Sequence, residues 1–217
     1  GNTAWPEKFT SEVVERIKKQ SGRFFKREYQ LELVPEEGQI ISSVAYYDSL
    51  PRLRVLSIGV DLAISQKQTA DYTAINSAGK GIDGKMYNIK TRYGRWGFNE
   101  TLGQINTAYM ELKLKYPDIP IYVGIEDVAY QKSAIEEARR RYHLPIKEIK
   151  QTTDKRARLE ALAPYFESGQ ILFPREGNED LLIQLLNFGT ERYDDLVDAL
   201  EMSMRQLIND KRPGILW

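Results

Sequence analysis

Acidic side chains stand in or beside apolar segments at three places in the chain. Asp61 lies in the apolar run 54–63, and Glu126 ends a second run, 121–126. Such runs are typical of buried strands, where a lone carboxylate costs several kcal/mol unless a partner compensates its charge. A third acidic group opens a predicted helix near the C-terminus and consists of Asp194, Asp195 and Asp198. If the fold brings the three groups together, their mutual repulsion favours the binding of cations.

The composition of this candidate site narrows the choice of metal. Ligand sets made only of oxygen select magnesium or manganese over zinc, and the chain has no cysteine and a single histidine. Two such ions about 3.5–4 Å apart clamp a phosphate between an attacking water and a leaving oxygen, as in nucleases. In this interpretation Asp61 bridges both ions, while Glu126 and the acids near the C-terminus each hold one side. Asp71 is a weaker candidate ligand, because a polar residue at the start of a strand needs no functional explanation.

Each acidic group also has a structural explanation when it is taken alone. Acids in the first turn of a helix interact favourably with the helix dipole, which accounts for Asp194 and Asp195. Asp61 can accept hydrogen bonds from backbone amides, and Glu126 with Asp127 can form a turn at a strand end. Asp198 weakens this alternative, because the segment around it is apolar and a charge there needs a partner. The metal hypothesis explains all three positions at once.

Basic residues near these segments are candidates for holding a polyanion. Lys132 follows Glu126 closely in the chain and is the best placed of them to contact a phosphate. The usual alternative for such residues is a solvated charged surface. The residues that we predict to contact DNA are Lys132, Arg92, Arg95, Lys155 and Arg156.

The order of predicted elements indicates the fold class. Strands over about 55–62, 70–76 and 84–93 form an antiparallel meander, in which Gly79, Gly81 and Gly84 mark the second gap. Helices and shorter strands then alternate, with helices over about 100–116, 133–141, 154–166, 179–186 and 194–208, and strands at 120–126, 145–149 and 171–173. Asn99 and Asp154 are the predicted caps of the first and third helices. This order predicts an α/β fold with a mixed five-stranded sheet and helices on both faces.

Bulk composition excludes several classes of protein. The 31 basic and 31 acidic residues give a net charge of zero, which counts mildly against a nucleic-acid binder. Acids at a metal site would, however, offset basic residues of a DNA-binding surface in this net charge. No phosphate-loop motif is present, so hydrolysis of ATP by this chain is not expected. No apolar run is long enough for a membrane span, and membrane association is not expected. The segment 1–53 lacks a core of its own and is predicted to be an arm packed on a neighbouring domain.

Taken in order, these motifs resemble the C-terminal nuclease domain of the large terminase subunit of tailed bacteriophages. The resemblance extends over about residues 54–208, and it depends on the ordered set more than on any one motif. The arm at 1–53 resembles the linker between the terminase ATPase and its nuclease. The matching segments are 59–63, 70–75, 125–127, 130–131 and 193–200.

This resemblance implies an RNase H/RuvC-like domain over 54–217 that cuts double-stranded viral DNA concatemers during packaging. It implies catalytic roles for Asp61, Glu126 and Asp195, and metal binding by these acids, by Asp194 and by Asp198. Which of the three helix acids binds metal directly stays open. Two Mg²⁺ or Mn²⁺ ions are the implied cofactors. The implied partners are double-stranded DNA, the terminase ATPase domain, the small terminase subunit and the portal protein, at the procapsid in the host-cell cytoplasm.

Two alternatives remain at this stage. A Holliday-junction resolvase or an RNase H would share the fold, and the choice of substrate would separate them from a terminase nuclease. A catalytically idle module that binds DNA or docks within a packaging motor would carry the same acids as structural groups. Binding of DNA without metal and without cutting would favour the idle module.

Overall fold

The computed structural model describes residues 39–62, 72–127, 132–189 and 194–210 of the chain. The candidate ligand Asp71 and most of the predicted arm lie outside the described residues. The seven strands within these ranges are β1 Ala45–Tyr47, β2 Leu53–Asp61, β3 Thr73–Gly81, β4 Met86–Gly94, β5 Ile121–Glu126, β6 Ile146–Ile149 and β7 Ile171–Pro174. The six helices are α1 Phe98–Lys115, α2 Lys132–Tyr142, α3 Lys155–Glu160, α4 Ala163–Glu167, α5 Glu179–Leu186 and α6 Asp195–Ile208.

The strands form one mixed sheet in the order β1-β7-β4-β3-β2-β5-β6. The meander β2-β3-β4 is antiparallel, and β5 and β6 continue the sheet in parallel from β2. The five strands β4-β3-β2-β5-β6 confirm the predicted mixed sheet. Two further strands extend it, because β7 pairs in parallel with β4 and β1 pairs in parallel with β7. β1 comes from the segment predicted as an arm, so that segment supplies part of the sheet.

Helices cover both faces of the sheet, as predicted. One face packs against α1 and α2, in a core that includes Leu102 and Ile135. The other face packs against α3, α4, α5 and α6, in a core that includes Leu159 and Leu200. In the parts of the chain described here, no helix is both long enough and apolar enough to cross a membrane.

Three predicted boundaries are wrong, each for a local reason. The second strand extends to Gly81, because Gly79 lies against Leu53 and is part of the sheet; the turn itself is made at Gly84, which has a φ of +84°. Helix α1 begins at Phe98 after Gly97, so Asn99 lies within the helix and does not cap it. The helix predicted over 154–166 is two helices. Pro164 cannot continue the first one, and it lies in the first turn of the second, where a proline is tolerated.

Helix α6 lies directly on the centre of the sheet. A Cβ atom added to Gly59 in β2 would overlap the Ala199 carbonyl oxygen and would stand 2.6 Å from the Ser203 backbone nitrogen. Only a residue without a side chain lets the helix backbone approach this closely. The approach fixes the position of α6, and therefore of its first turn, relative to the C-terminal end of β2.

A buried polar network links α6 to the meander and to the start of α5. The Ser203 hydroxyl donates to Asn76 Oδ1 at 2.6 Å, and Asn76 Nδ2 donates to Asn88 Oδ1 at 2.6 Å. Asn88 Nδ2 donates in turn to Oδ1 of Asn178, the residue before α5, at 2.7 Å. All four residues are buried, so a shift of α6 along the sheet would leave buried polar groups without partners.

Candidate metal centre

The acids predicted from the sequence meet at one edge of the sheet. Asp61 is the last residue of β2 and Glu126 is the last residue of β5. The pairing of Val60 with Ile125 in the parallel β2–β5 ladder makes Asp61 and Glu126 neighbours. Helix α6 begins at the same edge, because Gly59 packs against Ala199 in its second turn. The three acidic groups, far apart in the chain, are therefore adjacent in the fold.

The three acidic groups also interact electrostatically. Burial raises the pKa of Asp61 well above its usual range, and the negative charges of Asp198, Asp195 and Glu126 raise it further. Lys155 acts in the opposite direction and favours the ionised form of Asp61. The carboxylate at the end of β2 is therefore held in a site where negative charge accumulates. A cation is the natural partner for such a site.

The raised pKa of Asp61 leads to a prediction about stability. When the pKa of an acid is raised by folding, the folded state keeps the proton up to a higher pH than the unfolded state does. The free energy of unfolding therefore falls as the pH rises above the ordinary pKa of about 4. Without metal, Asp61→Asn should therefore raise the Tm at pH 7, by about 2–8 °C if the relief is roughly 1–2 kcal/mol. The gain should shrink as the pH falls towards 4.5.

Thermal unfolding in EDTA between pH 4.5 and pH 8 measures this difference. Asp118→Asn is the matched control, because Asp118 is an exposed acid in the turn between α1 and β5. That variant should unfold at the wild-type temperature at every pH. An Asp61→Asn protein less stable than wild type at pH 7 would show that the attraction of Lys155 outweighs the cost of burial.

The acids of α6 are bound to two cations from α3. Lys155 Nζ lies 2.8 Å from Asp194 Oδ1 and 2.6 Å from Asp198 Oδ2. Arg158 Nη2 lies 2.6 Å from the other oxygen of Asp198, and Arg158 Nη1 donates to the Thr153 carbonyl at 2.8 Å. We call Lys155 and Arg158 the α3 cation pair. Both oxygens of Asp198 are thus held by positive charge from the neighbouring helix.

The network continues along α6 beyond the predicted acids. Glu201 Oε2 lies 3.4 Å from Arg158 Nε, and Glu201 Oε1 lies 3.0 Å from Arg205 Nε. Burial raises the pKa of Glu201 above its usual range, while Arg205 and Arg158 partly offset this rise. Burial alone would lower the pKa of Lys155, but its hydrogen bonds to Asp194 and Asp198 outweigh this and raise the pKa above its ordinary value. Lys155 is therefore a full positive charge at neutral pH.

The acidic residues at this edge have the right chemistry to bind a divalent cation, but their side chains are not arranged around a common point. The donors are carboxylate oxygens, which are the ligands of Mg²⁺ and Mn²⁺. Among the residues that the structure describes, however, no three acidic, histidine or cysteine side chains are grouped closely enough to hold a metal ion. The oxygens of Asp194 and Asp198 face the α3 cation pair instead.

The residues predicted to contact DNA occupy different environments. Lys155 contacts the acids of α6, while Arg156 on the same helix pairs with Glu160 at 2.8 Å and is exposed. Arg92 pairs with Glu111 at 2.5 Å, and Arg95 lies 4.6 Å from the centre of the Tyr72 ring. Lys132 is exposed at the start of α2. Lys155 and Arg156 open α3, Lys132 opens α2 and Arg92 lies near the end of β4, while Arg95 lies in the segment between β4 and α1. Lys155 forms ion pairs with Asp194 and Asp198.

Two residues of the network were not singled out from the sequence as partners of the acids. Arg158 follows Lys155 by three positions, and Glu201 follows Asp198 by three positions. Residues at this spacing share a helix face. A search for charged residues three positions after each candidate would therefore have found both. The contact between α3 and α6 depends on the tertiary fold, and no local pattern predicts it.

Comparisons with known proteins agree with the fold described above. The family model of the terminase RNaseH-like domain matches residues 58–207. The large terminase nuclease of the thermophilic phage G20c, solved with bound magnesium, is 16% identical, with a TM-score of 0.56 over 79% of this chain and 99% of that chain. The human cytomegalovirus terminase nuclease domain is 15% identical, with a TM-score of 0.58 over 73% of this chain and 84% of that chain.

A longer solved protein also contains this fold. The large terminase of a second thermophilic bacteriophage is 18% identical, with a TM-score of 0.55 over 92% of this chain and 53% of that chain. No match was found among curated proteins. These likenesses confirm the predicted RNase H-like fold.

Proposed function

Because the chain belongs to the terminase RNase H-like domain family, we propose that it is a metal-dependent endonuclease that cuts double-stranded viral DNA during genome packaging. The observation that carries this proposal is the meeting of Asp61, Glu126 and the first turn of α6 at one edge of the sheet. The metals bound by a relative support it, since the phage G20c nuclease has been solved with magnesium, zinc and cobalt.

We assign the roles of the residues as follows. Asp61, which interacts with Glu126 and with the acids of α6, would be the central ligand of the metals, while Glu126 would hold one side of the site and Asp195 the other. Asp194 and Asp198 would be further ligands on the side of α6. When bound, two Mg²⁺ or Mn²⁺ ions would supply an activated water and would stabilise the charge of the transition state. The exposed Lys132 and the other predicted basic residues would hold the DNA backbone through contacts that weaken with salt.

The wider setting is also a proposal. This chain covers about half of the longer phage terminase, a protein that has also been solved in complex with ADP. That match supports a domain that works beside an ATPase domain. The small terminase subunit and the portal protein are further proposed partners. The work would take place at the procapsid in the host-cell cytoplasm.

Plasmid cutting tests the nuclease directly. Wild-type protein should nick and linearise supercoiled plasmid with Mg²⁺ or Mn²⁺ and should be inactive in EDTA. Asp61→Asn should lose more than about 100-fold of this activity, since even residues that only support a metal ligand are worth about 10–100-fold. Asp118→Asn is again the control and should cut like wild type. Equal cutting by Asp61→Asn would contradict the assignment of the central ligand.

One observation favours a second candidate function. The α3 cation pair already compensates Asp194 and Asp198, as expected in a catalytically idle DNA-binding or docking module. Such a module would bind a DNA duplex equally well with EDTA and with Mn²⁺, and it would cut under neither condition. Metal-dependent cutting that is lost in Asp61→Asn would exclude it.

A further inference from the structure

Lys155 binds carboxylate oxygens that the proposed metal would also need. The inference drawn here from that overlap builds on the proposed function. The ammonium group of Lys155 lies between Asp194 and Asp198, at 2.8 Å and 2.6 Å from one oxygen of each. Its charge also acts on Asp61, the residue at the centre of the site. A divalent cation bound to these acids would stand close to the ammonium group, where two positive charges repel strongly. Binding of the cation to these carboxylates therefore weakens their ion pairs with Lys155, and those ion pairs weaken binding of the cation.

The two members of the α3 cation pair differ in their freedom to move. The Arg158 side chain is 7% exposed and is bound to Asp198, Glu201 and the Thr153 carbonyl. The Lys155 side chain is 49% exposed, and its ion pairs are with the acids of α6. Once another cation compensates the acids, a flexible lysine stem can turn into solvent at little cost, because the ammonium group is then hydrated. Arg158 is thus a fixed part of the framework, and Lys155 is the member that can leave.

From these contacts we propose that Lys155 is an intramolecular counter-ion of the α6 acids, which a divalent cation must displace in order to bind. Lys155 then sets the metal affinity of the site by stabilising the form without metal. The residue is a positioning residue by this account, since it holds Asp194 and Asp198 and does not touch the reacting atoms. Removing its charge should tighten metal binding, which is the opposite of what the loss of a ligand would do.

Titration calorimetry with MnCl₂ in the absence of DNA provides the test. Lys155→Met should bind Mn²⁺ at least about 10-fold more tightly than wild type, a change of about 1.4 kcal/mol. Lys155→Arg keeps the charge and should bind Mn²⁺ like wild type. Arg156→Met is the matched control, because it removes a neighbouring, half-exposed cation of the same helix whose Nε lies 2.8 Å from Glu160. Its Mn²⁺ affinity should not change.

Thermal unfolding gives a second readout that does not depend on activity. In EDTA, Lys155→Met should unfold at a lower temperature than wild type, because the acids lose their counter-ion. Saturating Mn²⁺ should raise its Tm by more than it raises the Tm of wild type, since tighter binding stabilises the folded state further.

The outcomes separate this inference from the proposed function. Mn²⁺ binding that Asp61→Asn abolishes and Lys155→Met fails to strengthen would overturn the inference and leave the metal site in place. Absence of Mn²⁺ binding in both wild type and Lys155→Met would overturn the inference and the proposed metal chemistry together. Tighter binding by Lys155→Met with unchanged binding by Lys155→Arg and Arg156→Met would establish it.

Discussion

Arg158→Met should lower the free energy of unfolding by about 3 kcal/mol, which corresponds to a fall of roughly 6–12 °C in Tm for a chain of this size. Arg158 joins Asp198 and Glu201 in a network whose side chains are 7%, 10% and 4% exposed. Methionine fills a similar volume, so the loss arises from two buried carboxylates that lose a compensating charge. Lys155 and Arg205 still contact one oxygen of each acid, which keeps the expected loss at the lower end of the range for buried pairs.

Two further variants make this prediction specific. Arg156→Met removes an arginine from the same helix, but its partner Glu160 and its own side chain are both about half exposed, so the change should stay below about 1 kcal/mol. The double variant Arg158→Met with Glu201→Gln should regain part of the loss, because the substituted amide no longer carries a buried charge. Urea unfolding at pH 7 in EDTA measures all three. Equal effects of Arg158→Met and Arg156→Met would contradict a buried role for Arg158.

Gly59→Ala should destabilise the protein by about 3 kcal/mol although it adds a single methyl group. The added Cβ would overlap backbone atoms of Ala199 and Ser203, which cannot turn aside as a flexible side chain could. Helix α6 would have to move away from β2, at a cost at the upper end of that measured for overpacked cores. The same movement would carry the acids of α6 away from Asp61, so metal-dependent cutting should also fall.

Gly103→Ala is the control for this substitution. Gly103 lies inside helix α1, and apart from the adjacent backbone of that helix no atom lies within 4 Å of an added Cβ. Alanine there should therefore stabilise the protein by about 0.5–1 kcal/mol through its better helix propensity. The two glycine variants should therefore change the urea midpoint in opposite directions. A Gly59→Ala midpoint equal to that of wild type would mean that α6 can move without cost.

The positions of the candidate acids in the fold could be predicted from the sequence because each acid stands at the end of a regular element. Asp61 lies in an apolar run and Glu126 ends one, both runs are typical of buried strands, and the alternation of helices and strands then brings the ends of the two strands to one edge. The acids of α6 stand at the start of an apolar segment that the sequence predicts as a buried helix. Each of these patterns involves only neighbouring residues, and each corresponds to a strand or helix of the structure.

Other features depend on contacts that no local pattern shows. β1 has only three residues, and its place in the sheet depends on β7, which comes more than a hundred residues later. Lys155 has the appearance of an ordinary surface lysine in the sequence, and its contact with the acids exists only because α3 packs beside α6. Asn99 has the residue type of a helix cap, but Gly97 already occupies that position. The tertiary structure decides these cases.

The position of α6 on β2 has a consequence for the order of events during synthesis. β2 is complete once the ribosome has added Asp61, yet the backbone that packs against Gly59 belongs to a helix that ends at Ile208. The nascent chain therefore exposes the centre of its sheet until that helix has emerged, and the acid cluster cannot assemble earlier. If the chain is the nuclease proposed above, its site is expected to stay inactive while the segment before α6 is being translated. Its acids come together only when the last helix described here docks on the sheet.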